Sequence, residues 1–70
     1  MWNIGVHIKH FRKERGMTQE EVAKRLGVSG QAVSKWENHI NAPDISLLPS
    51  IAALFGVSID MLFSDDETIE

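Results

Sequence analysis

Residues 18–27 contain the local pattern that most restricts how this chain can fold. Thr18-Gln19-Glu20-Glu21 fits a capping box, in which the Thr18 oxygen accepts from the Glu21 amide and the Glu21 side chain accepts from the Thr18 amide. Gly27 follows after about two helical turns and suits the left-handed backbone that a sharp helix exit requires. The pattern therefore predicts a short helix with a defined start and a defined end.

A second helical stretch follows this turn at once, with Ser29 as its cap and an expected span from Gly30 to about Asn38. Successive helical residues advance by about 100°, so the stretch has two different sides. Its apolar side consists of Ala32, Val33, Trp36 and Ile40. Its other side consists of Gln31, Ser34, Lys35 and Asn38. We expect one buried face and one exposed face rich in hydrogen-bonding groups. Two short helices joined in this way are typical of a helix-turn-helix.

Apolar residues at helical spacing predict further helices on both sides of this pair. The first helix is expected over residues 3–15, with Asn3 as its cap and Gly16 at its end. A fourth helix is expected after a loop over 39–44. We expect Ser46 to cap it and Pro49 to lie in its first turn, where the missing amide is tolerated.

A short fifth helix is expected after Gly56 ends the fourth, with Ser58 as its cap. Its apolar positions are Ile59, Met61, Leu62 and Phe63. The fold class predicted from these patterns is all-α.

The length of 70 residues allows one small domain, which we place at 1–63, followed by an acidic tail or truncated linker at 64–70. The chain has no cysteine, which excludes disulfides and thiolate metal sites. The longest apolar run, 51–55, is too short to cross a membrane, and the N-terminus lacks the pattern of a signal peptide. We therefore expect a soluble cytoplasmic protein.

Charge is divided unevenly along the chain. Residues 1–40 carry seven basic and four acidic side chains, a net +3, whereas residues 41–70 carry six acidic side chains and no basic one. The overall charge of −3 argues against nucleic-acid binding, because domains of that kind are usually basic. The asymmetry weakens this objection, since a partner responds to the field of the face that it meets.

A longer pattern extends over about residues 4–63. It comprises Met17–Ala23, Leu26–Ser29 and Gln31–Glu37, then Pro43, Leu47, Ile51-Ala52, Phe55–Ser58 and Leu62. In these segments the sequence resembles the phage-repressor/Cro-like helix-turn-helix family, also called the xenobiotic-response-element family. The resemblance implies a compact, five-helix, lambda-repressor-like domain. It further implies a bacterial or phage-encoded transcription regulator that binds double-stranded operator DNA, and we expect a repressor that binds as a homodimer.

The resemblance also implies roles for individual residues. Positions that read base edges in the family correspond here to Gly30, Gln31, Ser34 and Lys35. Positions that contact phosphates correspond to Gln19, Ser29 and Asn38. Gln31 can form a two-bond pair with adenine, and Lys35 can reach O6 and N7 of guanine. Gly30 departs from the family, whose members usually have a longer polar side chain at this position.

Arg12 and Glu37 match a pair that forms an internal salt bridge in the family. The arginine fork suits a carboxylate in two-bond geometry. We interpret the two residues as structural rather than as contacts to DNA.

Other kinds of function fit the sequence less well. A protein-interaction module, such as an antitoxin-like or adaptor domain, is the main alternative, and the acidic second half and Gly30 favour it. We do not expect an enzyme, because the chain is small and has no glycine-rich phosphate loop or paired carboxylates. His7 and His10 lie one turn apart but have no third ligand at a suitable spacing, so we expect neither a metal nor a cofactor.

The dimer contact is not defined by the sequence. Apolar side chains near the two ends suggest a seam formed by Trp2, Phe63 and Ile69. We also expect that a longer parent chain would carry a further C-terminal domain.

Overall fold

The computed structural model describes residues 4–63, and all regular secondary structure in this range is helical. The α-helices within residues 4–63 are α1 (Ile4–Glu14), α2 (Gln19–Leu26), α3 (Gly30–Glu37) and α4 (Leu48–Phe55). Two 3₁₀ turns, Ile45–Leu47 and Ile59–Leu62, precede and follow α4. No helix in this range has the length and apolar character needed to cross a membrane. Asn3, Trp2, Ile69 and the tail 64–70 lie outside the described residues.

The predicted turn chemistry around α2 is confirmed. Thr18 Oγ1 accepts from the Glu21 amide at 3.0 Å, and the Thr18 amide donates to Glu21 Oε1 at 2.8 Å. Gly27 has a φ of +75°, and the next amide, that of Val28, donates back to the Ala23 carbonyl at 2.9 Å. Ser29 Oγ then accepts from the Ala32 amide at 3.1 Å. These bonds occupy the backbone groups that a helix end leaves without partners, and they fix where α2 stops and α3 starts.

The start of α4 differs from the expectation. Ser46 is not a helix cap, and the side chain that caps this region is Asp44, whose Oδ2 accepts from the Ser46 amide at 3.1 Å. The Asp44 contact closes a 3₁₀ turn, and α4 begins only at Leu48 with Pro49 in its first turn, as expected. A proline there displaces no helical hydrogen bond, so α4 needs no side-chain cap to start.

The fifth helix is a single 3₁₀ turn rather than an α-helix. Ser58 caps it as expected, with its Oγ accepting from the Met61 amide at 3.3 Å. The segment ends at Leu62, one turn later. Leu62 is completely buried and packs this turn onto the core, which gives the short segment a stabilising role.

In the described part of the chain the core is a cluster to which α1, α2, α3 and α4 contribute. Its members are Ile4, Ile8, Phe11, Val22, Ala23, Val33, Trp36, Ile51, Ala52, Phe55 and Leu62. The α1 and α3 helices cross in close contact at Gly5, where a Cβ atom would lie 2.1 Å from the Trp36 carbonyl oxygen. A glycine is therefore required at position 5 for this crossing.

Ile40 is not part of the buried side of α3, contrary to the prediction. The helix ends at Glu37, and His39 adopts a left-handed conformation with a φ of +62°. The chain therefore turns away before Ile40, whose side chain remains 68% exposed. The spacing rule that placed Ile40 with Trp36 holds only while the helix continues.

Candidate nucleic-acid interface

The exposed face of α3 contains the side chains predicted to meet a partner. Gln31 and Lys35 are exposed, and Ser34 between them is half-buried. Asn38, the C-cap of α3, is exposed and donates from Nδ2 to Ser34 Oγ at 3.3 Å. The structure thus brings these four side chains onto one surface.

The opposite face of α3 is held firmly by the core. Val33 is fully buried and Trp36 is only 5% exposed. The α2 helix packs along α3, and α1 packs on it from another side. Because these side chains are buried in the core, the packing of α3 fixes the direction in which its exposed face points.

Arg12 and Glu37 form a two-bond ion pair between α1 and the last turn of α3. Arg12 Nε lies 2.7 Å from Glu37 Oε2, and Nη2 lies 3.0 Å from Oε1. The Glu37 side chain is only 3% exposed and that of Arg12 is 12% exposed. Arg12 Nη1 also donates to the Met17 carbonyl at 2.9 Å. The pair therefore connects α1, the α1–α2 turn and α3 in a nearly dry environment.

Gln19 belongs to the same network. Its Nε2 donates to Glu37 Oε1 at 3.0 Å, so the side chain predicted to contact phosphate also braces α2 against α3. No local pattern in the sequence indicates this bond, because the two residues are 18 positions apart. The third predicted phosphate contact, Ser29, is exposed and caps α3 with its oxygen.

Gly30 lies at the first position of α3 and has no side chain to offer. The space above it is occupied by the carboxylate of Glu20 from α2, since a Cβ atom on Gly30 would lie 2.1 Å from Glu20 Oε2. Glu20 was not singled out by the sequence patterns. The sequence feature that could have indicated this role of Glu20 is the glycine at position 30, which leaves room for the carboxylate.

Residues 4–63 contain no group of three or more His, Asp or Glu side chains placed to hold a metal ion. His10 instead lies 3.9 Å from Glu14, one turn further along α1.

A family model described as helix-turn-helix matches residues 8–62 of the chain. The chain belongs to the helix-turn-helix family of the Cro and phage-repressor type. The order of α2, the glycine turn and α3 corresponds to the two helices that give the family its name.

Curated helix-turn-helix relatives include both an activator and a repressor of transcription. The chain is 39% identical over 62 residues to the transcriptional activator BcrR of Enterococcus faecalis, covering 89% of this chain and 30% of that protein. It is 36% identical over 61 residues to the phage CTXphi transcriptional repressor RstR of Vibrio cholerae, covering 87% and 55%. A transcriptional regulator of Methanocaldococcus jannaschii, itself uncharacterised, is 40% identical over 62 residues, with 86% and 94% covered. The chain spans about half the length or less of the first two relatives.

Two solved helix-turn-helix structures share the fold closely. The P22 c2 repressor, solved in complex with a synthetic operator, superposes with a TM-score of 0.83 at 30% identity, covering 90% of this chain and 96% of that one. The N-terminal DNA-binding domain of SinR from Bacillus subtilis gives a TM-score of 0.83 at 32% identity, covering 93% and 96%. The predicted lambda-repressor-like fold is therefore confirmed, with a 3₁₀ turn in place of the fifth helix.

Proposed function

We propose that this chain is the DNA-binding part of a transcription regulator and that it reads operator sequence by inserting α3 into the major groove. The observation that carries the proposal is the exposure of Gln31 and Lys35 on one face of a helix that Trp36 and Val33 anchor from behind. A rigid helix with a hydrogen-bonding outer face suits the major groove, which admits one α-helix. The similarity to a repressor solved on its operator supports the same mode of binding.

The base-reading roles follow from side-chain chemistry. Gln31 pairs with adenine through N6 and N7, and Lys35 donates to O6 and N7 of guanine. Ser34 lies between them and contributes a hydroxyl that can donate or accept. Together the three side chains cover neighbouring base pairs along the groove.

The phosphate contacts are assigned to Ser29 and Asn38, the caps at the two ends of α3, and to Gln19 at the start of α2. Contacts of this kind set the register of the protein on DNA and carry no sequence information directly. Gln19 would keep its Nε2 bond to Glu37 and use its remaining amide atoms for the phosphate. Arg12 stays with Glu37 and positions α3 instead of touching DNA.

Two copies of the chain are proposed to bind together. Dimers of this helix-turn-helix type engage half-sites about 34 Å apart, one turn of the duplex. We further propose that the protein is a cytoplasmic repressor without catalytic activity of its own. We also propose that its parent chain carries another domain. The relatives that extend beyond the matched region support a longer parent chain.

Selection of bound sites from a random duplex library, followed by titration of the selected site at two salt concentrations, tests the proposal. We expect enrichment of a short motif and an affinity that falls steeply between low and physiological salt, because binding releases counterions from the phosphates. Enrichment of no motif, or an affinity that is unchanged by salt, would contradict it. The Gln31→Ala variant is the matched control for sequence preference.

A protein-interaction module is the second candidate function. Two isoleucines are exposed on the C-terminal side of α3: Ile40, in the loop after the helix, at 68%, and Ile45, at the start of the first 3₁₀ turn, at 78%. Exposed apolar side chains of this kind favour a protein contact over a phosphate contact. Failure of the purified chain to bind any duplex at low salt would favour this function.

A further inference from the structure

Gly30, the first residue of α3, has no side chain, and the Glu20 carboxylate occupies the space where one would begin. Gly30 begins α3, and a Cβ atom built on it would lie 2.1 Å from Oε2, 2.6 Å from Cδ and 3.0 Å from Oε1 of Glu20. All three atoms belong to one carboxylate. The absence of a side chain at position 30 is therefore what gives the Glu20 carboxylate its place.

That place is on the surface assigned to DNA. Gly30 precedes Ser34 by one helical turn, so the two positions lie on the same side of α3. Glu20 is exposed, and it reaches over the start of α3 from the first turn of α2. Within residues 4–63 no hydrogen bond or ion pair occupies its carboxylate, so both oxygens can still accept.

Carboxylate chemistry limits what Glu20 can recognise in the major groove. An ionised carboxylate only accepts hydrogen bonds. The major groove offers donors only from the amino groups of cytosine N4 and adenine N6, and adenine places the N7 acceptor beside its amino group. Guanine and thymine present acceptors at the corresponding edge and would repel it. Cytosine is thus the base that suits this group best.

We infer that Glu20 is a specificity-determining residue that takes over the first base-reading position of α3, left vacant by Gly30, and selects a cytosine there. This inference rests on the proposed function. Its basis is the juxtaposition of the Glu20 carboxylate with Gly30 on the face that contains Gln31 and Ser34. Specificity at this base pair then comes from α2, while the neighbouring base pairs are read from α3.

Three variants separate base reading from simple charge. Glu20→Gln keeps the shape and adds donors, so it should shift the preference at one base pair from cytosine to adenine. Glu20→Ala should lose the preference altogether. Gly30→Ala should displace the flexible carboxylate while keeping every charge, and should lose the same preference. Asp60→Asn, in the last 3₁₀ turn, is the control that removes one negative charge away from α2 and α3.

The measurement is an anisotropy titration against the selected operator and its single-base-pair variants, with circular dichroism to confirm that each variant is folded. We expect wild type to prefer cytosine at one position by about tenfold, the scale of one good base contact, and both Glu20→Ala and Gly30→Ala to reduce this to near unity. Asp60→Asn should keep the preference.

Two other outcomes overturn the inference in different ways. If Glu20→Ala binds all sequences more tightly by one factor and the base preferences stay unchanged, Glu20 acts only as a charge and the inference alone fails, while the Gln31-dependent preference survives. If wild type shows no sequence preference at all, the proposed function fails and the inference fails with it.

Discussion

The guanidinium of Arg12 donates two hydrogen bonds to the carboxylate of Glu37, from Nε to Oε2 at 2.7 Å and from Nη2 to Oε1 at 3.0 Å. The Glu37 side chain is almost completely buried. Two-bond pairs of this geometry are stronger than single contacts and define orientation as well as distance. The pair also receives the Gln19 amide, so three helices converge on one carboxylate. The angle of α3 relative to α1 is set by this junction.

Breaking the junction on one side is expected to destabilise the fold. Arg12→Ala leaves a buried carboxylate without its cation, so we expect a loss of about 3–5 kcal/mol in the free energy of unfolding. Urea titration followed by tryptophan fluorescence measures it. The matched control is Glu14→Ala, which removes the exposed partner of Arg15 and should cost about 0–1 kcal/mol. Equal small losses in both variants would contradict a structural role for Arg12.

Gln31→Ala is expected to change recognition without changing stability. Gln31 is exposed, so its truncation should leave the unfolding free energy within about 0.5 kcal/mol of wild type. On the preferred operator it should cost about 1–3 kcal/mol of binding free energy and relax the preference at a single base pair. Titration of a set of single-substitution operators measures both effects. If the variant keeps the wild-type preference at every base pair, Gln31 does not read a base.

Lys35→Ala and Gln19→Ala are expected to act in different ways. Lys35→Ala should alter the base preference, whereas Gln19→Ala should weaken the binding of every DNA sequence by the same factor. Because Gln19 also donates to Glu37, its truncation should additionally cost about 1 kcal/mol of stability. The test combines a randomised operator pool with urea unfolding of both variants. If Gln19→Ala loses stability but binds every duplex as wild type does, Gln19 is a brace and not a phosphate contact.

Gly5→Ala is expected to separate α1 from α3. The added methyl group would lie 2.1 Å from the Trp36 carbonyl oxygen, which is backbone and cannot rotate away. We expect a loss of about 1–3 kcal/mol in unfolding free energy, the usual cost of overpacking. Gly30→Ala is the matched control, because the atoms it meets belong to a flexible side chain that can move aside. Thermal unfolding of both variants distinguishes them, and equal melting temperatures would contradict the close crossing.

Asp44 should titrate at a lower pH than an ordinary aspartate. The Ser46 hydroxyl, first, and the Ser46 amide donate to its carboxylate, and this lowers the pKa of Asp44 below its usual value of 3.8. Since the folded pKa is depressed, the contribution to stability is present above the unfolded pKa and is lost as pH falls through the folded one. NMR titration of wild type and Ser46→Ala measures it. The variant should return the Asp44 pKa towards 3.8.

Elements defined by local chemistry were predictable from the sequence. The capping box at Thr18 joins residues three apart, and Gly27 occupies a backbone conformation that few other residues tolerate, so both can be identified without knowing the fold. The exposed side of α3 follows from helical spacing alone. The Arg12–Glu37 pair joins residues 25 positions apart and was expected only through the family resemblance.

Other features depend on distances that no local pattern encodes. Asp44 and Ser46 are both possible caps for this region, and the structure shows that the Asp44 carboxylate caps the 3₁₀ turn by accepting from the Ser46 amide. Gln19 reaches Glu37, and Glu20 covers Gly30, only because the glycine turn folds α2 back beside α3. Ile40 is exposed because the left-handed His39 ends the helical register one residue earlier.

Burial of Glu37 also has an electrostatic consequence for the approach to a polyanion. The carboxylate terminates the helix that would enter the duplex, at the end where the backbone dipoles already leave partial negative charge. Because Arg12 is held against Glu37, their opposite charges compensate each other, and the Glu37 side chain adds little to the repulsion between this helix end and the sugar–phosphate chains.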